Sequence, residues 1–522
     1  MSEKNSSIYK NTFFLLFVAA TFISRTGTWL FTVGSSWLMT QLDSSAFMVS
    51  LVQTATLIPI FILSLPAGAI GDLYNQKKII ISSQCLMVVN TLIFAYLVYT
   101  DEATVFLLLL FTAINGVGAA FSNPVLSALT PQLVPKSQLR TAVNLVGIAY
   151  NLSRAIGPIL GGMLITRYAL DLPFWLDAIS FGAVVLVILF WKRKPQNEEL
   201  PDQKLSHSIA DANRFLFCSP ALYHSLFRAL LFFFSAAALW AYMPLIAKQR
   251  LNGGADLYGY LLGAAGFGAV TSVLFSNTIT KKLGSGTLTM VVSIVLGICF
   301  VFLGLTASKY SAILICFIAG ISWQLAFTSI MTSTQYALPK WYGARGLAYF
   351  LMAMSASLGI GSALWGLFAD YTSLTYGLYG AGLLSVLLAV LAKQFPLDLA
   401  KHMNLKLASN LSEPSISKDL DNGGQIMVRT TYTVTNAIHT EAIEKISGLK
   451  QKRYRDGARH WHLFTSEEDK NKLIEVYYQS NYKELIRHQK LVTVDDKKAE
   501  DELKDWLKAN DGLVERTYLK EV

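Results

Sequence analysis

Three ionisable side chains stand inside otherwise apolar stretches of this 522-residue chain: Arg25, Arg154 and Asp177. A charge inside a bilayer-length apolar run is costly, so each is a functional candidate by default. On a helix, Trp29, Thr32 and Ser36 fall within about 40° of Arg25. That stripe can line a cavity, with a cation able to attract an anionic or catechol-like group. Asn144, Asn151 and Arg154 fall within about an 80° arc of a second helix; such a polar face is unfavourable against lipid and should look into the protein. Asp177 is the only carboxylate well inside an apolar run. A buried carboxyl can take up and release a proton, which makes it the proton-coupling candidate, with Arg154 on the preceding helix as its expected partner. Gln324, Thr328 and Gln335 lie within about 40° of one another further on, neutral hydrogen-bonders suited to a polar, non-metal substrate.

The elements that must position these residues follow from composition. Only 15% of the chain is charged, 53% is hydrophobic, and the net charge is +10. Residues 11–395 hold 21 Lys/Arg and 12 Asp/Glu, whereas residues 425–522 hold 18 and 17. The first stretch reads as membrane and the second as a soluble domain. Twelve segments reach bilayer length, at 12–40, 47–72, 77–100, 103–133, 137–167, 172–191, 223–247, 257–279, 286–306, 310–337, 345–369 and 373–393. The first continues far past a signal-peptide core and reads as an uncleaved span.

Loop charges set the orientation. Lys4, Lys10, Lys77, Lys78, Lys136, Arg140, Lys192, Arg193, Lys194, Lys204, Arg214, Lys281, Lys282, Lys340 and Arg345 lie on one side, against Arg167, Lys248, Arg250 and Lys309 on the other. The positive-inside rule places both termini in the cytoplasm. The net charge thus has a topological origin and does not imply nucleic acid. Cys85, Cys218, Cys299 and Cys316 are scattered, so neither a disulfide framework nor a metal site is indicated. The basic loop after span two is echoed by Lys281-Lys282-Leu-Gly284 after span eight. Gly/Pro-interrupted span five is likewise echoed by Gly359-Ile-Gly361 and Trp365-Gly366 in span eleven. Duplicated halves of this kind point to a secondary transporter.

Gly68-Ala-Ile-Gly-Asp72-Leu-Tyr-Asn-Gln-Lys77-Lys78 resembles the signature loop of the major facilitator superfamily. The resemblance implies close helix packing at the glycine and a cytoplasmic charge relay through Asp72, Lys77 and Lys78. Leu73 and Asn75 replace the usual basic residue and glycine. Gly157-Pro158-x-x-Gly161-Gly162 is similar to the family's span-five antiporter motif, with Ser153 where a further glycine is usual. Arg25-x-Gly27-x-Trp29, Leu65-Pro66-Ala67-Gly68, Asn151-Leu-Ser-Arg154-Ala-Ile-Gly157-Pro158 and Ala363-Leu-Trp365-Gly366 resemble the bacterial branch that includes the enterobactin exporter. Arg455-Asp456-Gly457-Ala458-x-x-Trp461 and Arg487-His488-Gln489 resemble the soluble extension on part of that branch.

The expected architecture is an all-α polytopic membrane protein, with twelve transmembrane helices in two six-helix pseudo-repeat bundles. A small α+β ferredoxin-like cytoplasmic domain follows. The expected boundaries are 1–194, a central loop 195–222, 223–395, a linker 396–424 and the tail domain 425–522. In the tail, a half-buried strand from Ile426 precedes a helix over 439–454. Strands around 458–465 and 471–478, helices at 481–489 and 496–509 and a strand near 512–520 complete a βαββα(α)β order. His460, His462 and His488 lack tight ligand spacing, so no metal is implied. No cofactor or enzyme signature appears: there is no P-loop, dinucleotide fingerprint or nucleophile–base motif. The expected function is export of a small molecule, a siderophore such as a catecholate or a hydrophobic drug, across the bacterial inner membrane by proton-coupled alternating access. A general multidrug pump is the alternative, as is a transporter fused to a small monooxygenase-like domain. The expected partners are the lipid bilayer, the substrate and protons, and the tail either binds a second copy or regulates transport.

Overall fold

In a computed structural model, residues 8–191, 213–339, 343–402, 404–408, 424–455, 457–482, 484–486 and 492–520 are described. They fall into two compact units. The first comprises 1–199, 225–332 and 347–397, and the second 200–224, 333–346 and 398–522.

The first half of the membrane unit is built from α1 (Thr12–Leu42), α2 (Ala46–Leu73), α3 (Gln76–Tyr99), α4 (Val105–Leu133), α5 (Leu139–Arg167) and α6 (Leu172–Leu189). Short polar turns start them. Asn11, Ser45, Asn75 and Thr104 each accept a bond from a backbone N–H of the first turn they cap, satisfying donors that would otherwise be orphaned near the bilayer surface. α1 packs against α5 and α6, α2 against α4, and α3 against α4 and α6. Phe31, Phe94 and Phe174 knit α1, α3 and α6 together, with edge-on ring contacts at 5.3 and 5.0 Å.

The second half contains α7 (Pro220–Leu245), α8 (Ala255–Leu305), α9 (Lys309–Tyr336), α10 (Gly343–Tyr371) and α11 (Leu374–Leu391). Among the described residues, eleven helices are long and apolar enough to cross a membrane. The expected eighth and ninth spans run on as the single 51-residue α8, which breaks at Gly284 (φ 75°, ψ 156°). That backbone region is open essentially to glycine alone. Pro244 ends α7, and the π-turn Ile246–Arg250 follows. Arg228 is buried; it donates to the carbonyls of Ala392, Phe395 and Gly286 and so satisfies its charge on backbone.

The second unit carries a four-stranded antiparallel sheet of order β2-β3-β1-β4. Its strands are β1 (Ile426–Thr433), β2 (Arg459–Thr465), β3 (Lys472–Gln479) and β4 (Leu513–Lys520). α12 (His439–Ser447), α13 (Lys450–Arg455) and α14 (Val494–Ala509) complete it. Val428 pairs with Tyr477 on one side and Tyr518 on the other. One sheet face packs with Ala442, Ile446, Leu503 and Leu507 from the helices. Inside that core Glu475 is fully buried. It accepts from Tyr432 (2.7 Å), Trp461 (2.9 Å) and Arg453 (3.0 Å), and Arg453 also pairs with Glu500. Burial alone would raise the Glu475 carboxyl; Arg453 and the bonds from Trp461 and Tyr432 outweigh it and hold it below the usual range. His488, the linker from 409 to 423 and the central loop from 192 to 212 lie outside the described residues.

Candidate functional site

The first half encloses a cavity of about 160 Å³ between α1, α2, α3, α4 and α6. α1 contributes Arg25 and Thr32 to its wall, and α6 contributes Asp177. Arg25 Nη2 donates to Asn123 Oδ1 (2.7 Å) and to the Tyr150 hydroxyl (2.5 Å), neutral groups that orient the guanidinium without cancelling its charge. Asp177 is fully buried. Ser180 Oγ lies 3.4 Å from its Oδ1, while Oδ2 has no hydrogen-bond partner. Gly27 makes room for this pair, because a Cβ there would come within 2.8 Å of Asp177 Oδ1 and closer still to Ser180.

Arg154 does not meet Asp177. It reaches into the second half, where Nη1 donates to Gln324 Oε1 at 3.4 Å and the guanidinium lies over Trp240 (5.5 Å) and Trp323 (5.8 Å). Arginine over an indole face is a favourable desolvated contact. Trp29 joins this cluster, 6.4 Å from Trp240, rather than the Arg25 cavity. Gln324 also donates to Thr328 Oγ1 (3.2 Å). Gln335 is exposed in the last turn of α9. Asn144 is exposed, and Asn151 donates to the Gly147 carbonyl of its own helix. The arc of Asn144, Asn151 and Arg154 therefore yields one residue that reaches across the halves.

Among the described residues, two tight seams join the halves. A Cβ on Gly162 would approach the Ala255 carbonyl oxygen to 2.4 Å, one on Gly259 the Pro158 oxygen to 2.5 Å, and one on Gly266 the Arg154 oxygen to 2.5 Å. Only small residues let α5 and α8 come this close. Gly157 similarly abuts Trp29, and Gly161 abuts Val33. The second seam joins α2 and α10, where Thr54 Oγ1 donates to the Gly359 carbonyl (2.7 Å). Gly68 differs from expectation: an added Cβ meets nothing within 4 Å, so close packing does not require glycine there, whereas Gly71 faces Val125 at 3.1 Å.

At the end that holds the α1–α2 turn, the second half grips the first. Asp370 accepts from Ser45 Oγ (2.5 Å) and from the Ala46 (2.7 Å) and Phe47 (3.0 Å) backbone N–H groups. Lys248 donates to the Thr40 carbonyl near the end of α1, and Gln249 to the Ser44 carbonyl (3.1 Å). A carboxylate at a helix N-terminus and an ammonium at a helix C-terminus both suit the helix dipole. At the opposite end Lys77 Nζ donates to the Leu189 and Trp191 carbonyls (2.7 and 2.8 Å), closing the end of α6, and Lys78 is exposed. The side chain of Asp72 lies outside the described residues.

Sequence reasoning missed Asp370, whose partners are more than 300 residues away. It also missed the polar wall of α4, although Thr112, Asn115, Ala119 and Asn123 recur there at helical spacing. In the tail, His460 has φ 49° beside a register shift between Arg459 and His462. Among the described residues no group of three or more His, Cys, Asp or Glu converges on a metal geometry.

The chain is similar to the "Staphyloferrin A transporter" of Staphylococcus aureus, 23% identical over 68% of this chain and 89% of that protein. It is similar to "Macrolide efflux protein A" of Streptococcus pyogenes, 21% identical over 67% of this chain and 88% of that one. Among solved structures, the nucleoside transporter NupG superposes with a TM-score of 0.63 at 13% identity, covering 74% of this chain and all of that one. This likeness shows the fold, that of a major facilitator transporter. With residues 5–521 matching its family description, the chain belongs to the transmembrane secretion effector family.

Proposed function

We propose that the chain is a secondary active transporter that exports a small molecule across the bacterial inner membrane by alternating access. Taken as the turn between two crossings, Gly284 brings the count to twelve, in two six-helix bundles. The loop charges argue that both termini are cytoplasmic, which makes the α1–α2 turn external. The observation that carries the reading is a charged cavity in one half combined with halves that grip each other at the expected outer end. A site accessible from one side at a time is what alternating access needs.

The cargo class is a siderophore such as a catecholate, or a hydrophobic drug, in keeping with the relatives named for staphyloferrin A and macrolides. Proton coupling is assigned to Asp177, and substrate contact to Arg25, Thr32 and the Arg154–Gln324–Trp323 cluster. The strand order of the tail is the one a ferredoxin-like domain has.

The test is a deletion strain with and without the intact gene under iron restriction, scored for secreted siderophore and drug sensitivity. Reduced siderophore secretion, restored by the gene, is expected. Unchanged secretion with raised macrolide sensitivity would favour a general multidrug pump, a reading supported by the tryptophan cluster between the halves. No change in either would refute export.

A further inference from the structure

The cavity of the first half contains a guanidinium and a buried carboxyl group that do not pair with each other. Asp177 Oδ2 is buried without a partner, and no ion pair joins Asp177 to Arg25. Arg25 donates from Nη2, to neutral oxygens. Two further buried oxygens on the same wall, Thr112 Oγ1 and Gln84 Oε1, also lack partners. Buried polar atoms in native proteins are almost always satisfied, so unsatisfied ones converging on one cavity call for an explanation. A guanidinium bonded only to neutral groups inside a membrane bundle is more costly still.

The two groups occupy different levels. Asp177 packs beside Gly27, whereas Arg25 reaches Asn123 on α4. Gln84 is tied by its Nε2 to Ser122 (2.8 Å), next to Asn123, and so belongs with the arginine. The eleven residues from Thr112 to Asn123 rise about 16 Å along α4. The wall is therefore polar along its length, with an arginine toward one end and a carboxylate away from it.

We infer that this cavity binds an amphoteric small molecule, whose protonated amine pairs with Asp177 and whose carboxylate or other anionic group pairs with Arg25. A dipolar ligand satisfies both charges at once, which neither a simple cation nor a simple anion does. The inference rests on the exporter reading and narrows its cargo to molecules that carry both groups.

Purified full-length protein in detergent is titrated with aminocaproate, hexylamine and caproate, and binding is read from tryptophan fluorescence and thermal shift. Aminocaproate should bind at least about tenfold tighter than either singly charged probe, as expected for two charge-assisted contacts. D177N should bring its affinity to that of caproate, and R25Q to that of hexylamine. T112V, a milder change that removes another unpartnered oxygen of the cavity wall, should weaken aminocaproate about threefold. If D177N or R25Q does not fold, D177E and R25K keep the charge and should retain the preference for aminocaproate, while T112V supplies the loss. Equal affinity of the three probes in the wild type, or a T112V protein with unchanged aminocaproate binding, would overturn the inference. Export in cells with no such discrimination would refute the dipolar site alone; probe binding with no export would count against the exporter reading instead.

Discussion

Replacing Asp370 with alanine should release the outer grip. The carboxylate takes two backbone N–H groups and one hydroxyl at the start of α2. It is exposed, so the contact must be valued as a solvated one. Losing an N-cap contact costs about 0.5–2 kcal/mol, and an exposed charge at a helix end adds about 0.3–1 kcal/mol. Ser45 caps α2 in its own right, accepting from the Met48 N–H at 3.3 Å. Opening therefore does not orphan the whole first turn, and the lower part of the combined range applies. A net loss of about 1 kcal/mol changes a two-state ratio roughly fivefold. Spin labels at S44C and Q249C in the full chain, reconstituted in lipid discs, report the separation of the halves directly. In the closed state these positions are in contact, since Gln249 donates to the Ser44 carbonyl. The D370A protein should show the long-distance population raised by that factor over the same labelled background. Asp370→Asn, which keeps one acceptor oxygen, should fall between. A distance distribution unaffected by D370A would refute the assignment and leave the grip to Lys248 and the helix seams.

Other outcomes follow from the same contacts. Glu475→Gln leaves Arg453 undercompensated in the tail core and should destabilise that domain by about 3 kcal/mol, seen as faster hydrogen exchange over 425–520 in the full chain. Burial raises Glu475 and Glu500, but Arg453, with Arg516 acting on Glu500, holds both below the ordinary range. Their stabilisation is then complete at neutral pH and is lost as pH falls through the lowered folded values, so tail protection should collapse below about pH 4. Gly259→Val would force a side chain against the Pro158 carbonyl and should cost about 1–3 kcal/mol of thermal stability. Gly284→Ala should cost about 2 kcal/mol, because its φ of 75° with ψ 156° suits glycine alone.

The helices and strands were largely legible because their signals are local. Apolar length marked the spans, and alternation from Ile426 placed β1, which the structure starts at that residue. The eighth and ninth spans were separable in sequence only by their basic Lys281-Lys282 turn; the backbone instead continues as helix on both sides of Gly284. The site was legible only in part, because periodicity says which residues share a face but not what that face meets. Arg25 and Trp29 share a stripe, yet one enters the cavity and the other packs on Gly157 and Trp240. Arg154 and Asp177 sit on neighbouring helices, yet the arginine turns to the opposite half. Asp370 lies just beyond the expected span 345–369, and nothing near it in sequence shows the helix terminus that it caps.

The contacts between the halves divide by how easily they are exchanged. Along α5 and α8, glycines bring backbone against backbone, and separating those surfaces would open voids that no side chain is long enough to fill. At the expected outer end the link consists of Asp370, Lys248 and Gln249 on backbone groups of the α1–α2 turn. Each of these groups can be taken over by water at small net cost, because a hydrogen bond in protein replaces one in solvent. A transport cycle needs states separated by only a few kcal/mol, or ligand binding cannot shift them. The glycine seams are therefore the place for a pivot and the polar grip the place for a gate. A charged cavity in the first half lets the cargo's own ion pairs supply the differential affinity that moves the equilibrium between states.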